Sequence, residues 1–291
     1  MFRRILEKKF WSLWEKYPVI SLTGPRQSGK TTLLRMLNLN LPYVSLEDPD
    51  ERQIAIEDPR GFLSNYPEGA IFDEVQRAPH LFSYIQTLVD AGKVKFVLSG
   101  SQNFQLMESI SQSLAGRTAI LRLLPLSMTE IPDKLSLHSR LFLGGYPAIY
   151  DRQIPPVDYY PSYISTYVER DVRQIQNIEN LHLFQRFLQL CAGRIGQPLN
   201  YASLANDTGI SPNSAKQWLS ILEAGYIIHF LQPYYKNYNK RITKSPKLYF
   251  YDTGILSSLL GIESPDQLSS HYLIGNKYNS TFLHFSTHYQ Q

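Results

Sequence analysis

The chain has 291 residues, enough for roughly two domains at about 100–200 residues each. Hydrophobic residues make up 43% and charged residues 19%, which allows a real core and excludes wholesale disorder. Lys plus Arg total 29 against 25 Asp plus Glu; a net charge of +4 does not by itself announce a nucleic-acid partner. The one cysteine, Cys191, excludes a disulfide scaffold and a multi-cysteine zinc site. No run approaches the ~18 apolar residues of a membrane span. The N-terminus is charged throughout and has no apolar stretch of the secretory kind, so a soluble cytoplasmic protein is expected.

In chain order, residues 1–17 suit an amphipathic helix, with Phe2, Ile5, Leu6, Phe10, Leu13 and Trp14 at three- and four-residue steps. Five short apolar runs then read as buried strands: Val19–Leu22, Tyr43–Leu46, Ala70–Phe72, Val94–Leu98 and Ala119–Leu123. Helical patterns fit between several of them, as at His80–Ala91 and Asn103–Leu114. Strands alternating with helices predict an α/β fold, a parallel sheet covered on both faces, over residues 1–130. Residues 131–198 are a mixed, then helical, region. Ile154-Pro155-Pro156 reads as a linker or exposed turn, and Leu181, Phe184, Phe187, Leu188 and Cys191 give one apolar helical face. Residues 199–262 hold a further helical module. The tail from 263 ends in a stretch (271–291) with no acid, one Lys and three of the seven histidines, and is not expected to fold cooperatively.

Gly24-Pro25-Arg26-Gln27-Ser28-Gly29-Lys30-Thr31 fits G-x-x-x-x-G-K-[ST] in full, between a buried strand and a helix that opens at Thr32. Glycines let backbone N–H groups curl around phosphate oxygens. Lys30 is placed to reach the β- and γ-phosphates, and Thr31 to ligate Mg²⁺. Asp73 and Glu74 follow the third strand. Asp73 would hold the metal, and Glu74 would orient and deprotonate an attacking water. The order of elements suits insertion of the Val94–Leu98 strand between the other two. Its tip then carries Ser101, with Gln102 second, as a γ-phosphate sensor; helix capping by Ser99 or Ser101 explains the hydroxyls equally well. Arg117, before the fifth strand, suits either a reach to the nucleotide of a neighbouring subunit or a plain surface position.

The ordered runs Gly24–Thr31, Phe72–Pro79, Leu98–Gln102 and Leu114–Arg117 resemble prokaryotic AAA-type P-loop ATPases that carry a C-terminal domain of unknown function. Gly144-Gly145-Tyr146-Pro147, Tyr167–Val172 and Ser245–Gly254 look like the same family, over about residues 10–262. The resemblance implies ATP as the nucleotide, a winged-helix-like module, and a C-terminal part that looks like a restriction nuclease. It also implies a continuation after Ile274-Gly275-Asn276 that this sequence replaces, so a truncated or frame-shifted product is expected and no nuclease residue is carried over.

Residues 199–229 read as a helix-turn-helix: a first helix Leu199–Asn206, a turn Thr208–Ser211, and a second helix Pro212–Ala224 capped by Ser211. Its outward residues, Asn213, Ser214, Lys216, Gln217 and Ser220, carry one charge, which is thin for phosphate contact. The run Tyr234–Lys247 holds five cations, three tyrosines and no acid, and suits a wing on a nucleic-acid backbone or a solvated basic hairpin. Three readings stand: an Mg²⁺-dependent ATPase that moves its C-terminal half, a nucleotide-gated DNA-binding switch with little turnover, and a non-functional remnant. Self-association is an open partner reading.

Overall fold

Five apolar runs pair side by side into one parallel sheet: β1 (Val19–Thr23), β2 (Tyr43–Ser45), β3 (Gly69–Asp73), β4 (Lys95–Gly100) and β5 (Thr118–Arg122), in the order β2-β3-β4-β1-β5. The structure is a computed structural model that describes residues 2–92, 94–101, 110, 112–168, 180–234 and 245–276. β4 lies between β1 and β3, as the element order predicts, in register Val19↔Phe96 and Ala70↔Phe96. Successive residues feed opposite faces. Phe72, Phe96 and Leu98 join one core with Phe62, Phe82 and Ile85, while Ile20, Leu22, Ile71 and Val97 join the other with Phe10, Leu33 and Leu34. Burial on both faces is why β1 and β3 read as continuous apolar runs instead of alternating ones. The chain divides into two compact units, residues 2–124 and 125–290.

The N-terminal helix is shorter than its periodicity predicts. It spans Leu6–Trp14, and Arg4, ahead of it, turns inward instead of facing solvent. The Arg4 guanidinium donates to the carbonyls of Ser28 (2.8 Å) and Leu124 (2.6 Å), and the residue is buried. The helix expected at 103–114 lies in large part outside the described residues.

In the C-terminal unit, Ile154 and Pro155 lie in the turn between the helices Pro147–Asp151 and Pro156–Tyr163, with Pro155 exposed, as the exposed-turn reading expects. Pro156 instead opens the second helix, at the position where its missing N–H costs nothing. The helix Leu181–Gly193 buries Phe184, Phe187, Leu188 and Cys191 as its pattern predicts. Burial pushes the Cys191 thiol far up, so it stays protonated and inert. Two helices follow, Tyr201–Thr208 and Pro212–Ala224. The first begins two residues later than predicted, where Asn200 accepts from the Ser203 N–H (3.0 Å). Ser211 caps the second through the Ser214 N–H (3.0 Å). Strands β6 (Ile228–Leu231) and β7 (Lys247–Phe250) then pair antiparallel. Most of the basic run, residues 235–244, lies outside the described residues, as do the Tyr167–Val172 motif beyond 168 and the tail from 277. Among the described residues no helix is long and apolar enough to cross a membrane.

Candidate nucleotide-binding site

The loop Gly24–Gly29 leaves the C-terminal end of β1 and enters the helix Lys30–Met36. Gly24 packs so closely against the chain leaving β5 that a Cβ on it would sit 2.1 Å from the Leu123 carbonyl oxygen. Gln27 and Gly29 adopt left-handed backbone (φ 59° and 94°), so the chain reverses around a small concavity. Lys30 is buried, and its Nζ donates to the Gly24 and Pro25 carbonyls at 2.9 and 2.8 Å. Burial pushes its ammonium down from 10.5 to about 8; Glu74 and then Asp73 pull it back up, and Arg26 pushes it down a little further. A polyphosphate would relieve that desolvation.

β3 brings its acids to the same edge. Thr31 Oγ1 donates to Asp73 Oδ2 at 2.7 Å, joining two residues 42 positions apart in sequence. Tyr43, from β2, donates its hydroxyl to the same oxygen at 2.6 Å, and burial followed by the Asp73 carboxylate drives that phenol well above its ordinary pKa. Glu74 stands just past the strand in left-handed backbone (φ 54°, ψ 41°), sparsely populated by residues with a side chain. Its Oε2 accepts from Ser101 Oγ (3.1 Å) and from Gln76 Nε2. Ser101 therefore reaches the acid from the tip of β4; Gln102 lies outside the described residues. Tyr43, Gln76 and Arg4 were not singled out in the sequence.

The paired oxygens of Thr31 and Asp73 are hard donors, and no group of three or more His, Cys, Asp or Glu clusters as a metal site among the described residues. That set fits Mg²⁺, which takes one or two protein oxygens and completes its shell with phosphate and water.

Arg117 stands apart. It precedes β5 and accepts the Val19 N–H, at the opposite edge of the sheet from the loop. The five residues of β1 separate the two edges by about 16 Å. There its guanidinium forks onto Asp90, at 2.6 and 2.8 Å. At that same edge a groove of about 680 Å³ runs past Leu63, Tyr66, Tyr84 and Leu88 and contains none of the loop residues.

In the C-terminal unit, two of the quoted runs meet. Asp252 is buried. Its Oδ2 accepts from the Gly145 N–H (2.6 Å), and its Oδ1 caps the helix Thr253–Leu259 through the Gly254 and Ile255 N–H groups (2.9 Å each). The Tyr160 ring closes on this junction, and a Cβ on Gly254 would meet it at 2.1 Å. These residues build a packing joint, which explains their types without a ligand.

Residues 16–132 match the family described as an AAA domain, and residues 134–266 one described as a domain of unknown function. Uncharacterized proteins of Mycobacterium bovis and Mycobacterium tuberculosis are each 34% identical over 254 residues, 84% of this chain and 57% of the relative. The chain thus spans just over half the length of these curated relatives. A Walker-type ATPase of Pyrococcus abyssi superposes with a TM-score of 0.53 at 16% identity, over 89% of this chain and 96% of that one. At that identity the likeness speaks for the fold alone. With an AAA domain on the loop-bearing sheet and a domain of unknown function after it, the chain belongs to the AAA-type P-loop ATPase family with a C-terminal domain of unknown function.

Proposed function

We propose that the protein is an Mg²⁺-dependent ATP hydrolase whose turnover changes the conformation of its C-terminal unit. The observation that carries hydrolysis, as distinct from binding, is Glu74. A carboxylate hydrogen-bonded to Ser101 stands immediately after the Thr31–Asp73 pair, at the loop edge of the sheet. Residues 24–32 hold the phosphates, with Lys30 on the β- and γ-groups. Thr31 and Asp73 hold Mg²⁺, which when bound neutralises charge spread over the transferring phosphoryl group. Glu74 takes the proton of the water that attacks the γ-phosphorus as the bond to the leaving diphosphate breaks. Ser101 reports the γ-phosphate to Glu74. Arg117 stands at the opposite edge of the sheet from its own loop, paired with Asp90, which suits a plain surface position; service to the nucleotide of a neighbouring copy in a self-associated form would require it to leave Asp90.

Two helices, Tyr201–Thr208 and Pro212–Ala224, followed by the β6–β7 pair support a winged-helix-like module within 199–262, after a helical region 131–198. The basic run 234–247 would be its wing, and duplex DNA the partner that the run's five cations and three tyrosines suit. The test is Mg²⁺-dependent ATP turnover with and without duplex DNA, beside Glu74→Gln. Turnover lost in the variant with ATP binding retained supports the reading. Tight binding without wild-type turnover turns it into a nucleotide-gated switch. Turnover that survives Glu74→Gln overturns the assignment of the base.

A further inference from the structure

Gln76 lies in the 3-10 turn Val75–Arg77, just beyond the acid pair. The turn folds its side chain back two residues, so that Nε2 donates to Glu74 Oε2. The orientation of the amide is forced, because a carboxylate oxygen only accepts and Gln76 Oε1 cannot stand in its place. The consequence falls on Oε1. Gln76 is 7% exposed, and Oε1 is buried with no hydrogen-bond donor from any described residue. A buried carbonyl oxygen left without a donor is costly, and an apolar side chain of the same length would fill this place without that cost. Packing therefore does not account for a glutamine here; its bond to Glu74 does.

The backbone points the same way. Glu74 is held in left-handed conformation, at φ 54° and ψ 41°, which a residue with a Cβ adopts only when its surroundings over-determine it. Two donors, Ser101 Oγ from β4 and Gln76 Nε2 from the turn, converge on one carboxylate oxygen and leave Oε1 of Glu74 with no donor in common with them. A carboxylate pinned through one oxygen keeps a fixed plane, and its second oxygen is the one free to take a proton.

We infer that Gln76 is a positioning residue for Glu74: with Ser101 it locks Oε2, so that Oε1 of Glu74 faces the attacking water as the base. This rests on the hydrolase reading above. Its test is Gln76→Met, which keeps length and removes both the donor and the orphaned oxygen, with Gln76→Asn, too short to reach, as a second variant that keeps polarity. The readouts are kcat, KM, the affinity for a non-hydrolysable ATP analogue with Mg²⁺, and the unfolding temperature. The expected result is a fall in kcat of about 10- to 100-fold in both variants, with analogue affinity and unfolding temperature held or, for Gln76→Met, the latter raised. Wild-type turnover that needs Glu74 but is unchanged or faster in Gln76→Met or Gln76→Asn overturns this inference alone. Absence of wild-type turnover, or turnover indifferent to Glu74→Gln, overturns the hydrolase reading and this inference with it.

Discussion

Raising the pH from 7 to 9 should weaken nucleotide binding in a way that reads out Lys30. Burial holds its ammonium at about 8 in the nucleotide-free protein, against 10.5 for an exposed lysine. The protonated fraction is then about 0.9 at pH 7, 0.5 at pH 8 and 0.1 at pH 9. Only the charged form pairs with phosphate, so the apparent dissociation constant rises about tenfold across that range. Bound polyphosphate pulls the pKa back up, so binding at pH 8 takes up about half a proton. The assay is calorimetry of a non-hydrolysable ATP analogue with Mg²⁺, in two buffers of different ionisation enthalpy. Lys30→Arg, always charged, should bind with no such pH dependence. Stability follows with a definite sign. The folded pKa lies below the unfolded one, so the unfolded chain holds the extra proton between about 8 and 10.5. The nucleotide-free N-terminal unit therefore gains stability as pH rises through that window, by roughly 3 kcal/mol in all. A wild-type affinity flat from pH 7 to 9, with no proton uptake at pH 8, would refute the reasoning.

Further outcomes are open to test. Arg4→Met removes two buried guanidinium bonds to the Ser28 and Leu124 carbonyls, and should cost about 2–4 kcal/mol in denaturant unfolding and weaken nucleotide binding by loosening the loop; unchanged unfolding would mean that water replaces the bonds. Asp252→Asn keeps an oxygen for the helix cap but turns an NH₂ toward the Gly145 N–H, so about 1–3 kcal/mol is expected from thermal unfolding of the C-terminal unit. Burial raises the Asp252 carboxyl, its bonds from Gly145 and Ile255 opposing, so that unit should lose stability as pH climbs from about 4 through the raised value, and the Asn variant should lack this slope. Gly254→Ala drives a methyl into the Tyr160 ring and should destabilise more than Asp252→Asn; an equal or smaller effect would mean the ring moves aside easily. Arg117→Ala should leave analogue affinity unchanged and lower turnover only at protein concentrations where copies associate. Equal loss at all concentrations would remove the role in a neighbour's site.

What could be read from the amino-acid order was local or topologically constrained. Gly24 and Gly29 at fixed spacing, an apolar run before them and Lys30-Thr31 after them specify a phosphate loop, because every requirement is met within the thirteen residues Val19–Thr31. The five strands were legible because a sheet buried on both faces demands unbroken apolar runs such as Val19–Leu22. Of their order, the insertion of the Val94–Leu98 strand between the loop strand and the acid strand was legible from the succession of motifs, and β4 does enter between β1 and β3. The Ser211–Pro212 helix start was equally local. Periodicity failed where a side chain was claimed by something distant. Arg4 lies on a helical pattern but serves the carbonyl of Leu124, 120 residues on, ahead of a helix that begins only at Leu6. The Pro155-Pro156 pair signalled a break in the chain, but not that a helix would open on the second proline. The partners of the acids were of the same kind. Tyr43 meets Asp73 because β2 pairs with β3, and Ser101 meets Glu74 because β4 packs between β3 and β1. Asp252 reads as a helix cap, yet its second oxygen answers to Gly145, 107 residues earlier. Loop and strand identity are decided by short-range sterics and burial, which the order of residues carries. Which polar atom satisfies which is decided by packing, and only the tertiary structure brings those atoms within hydrogen-bonding distance.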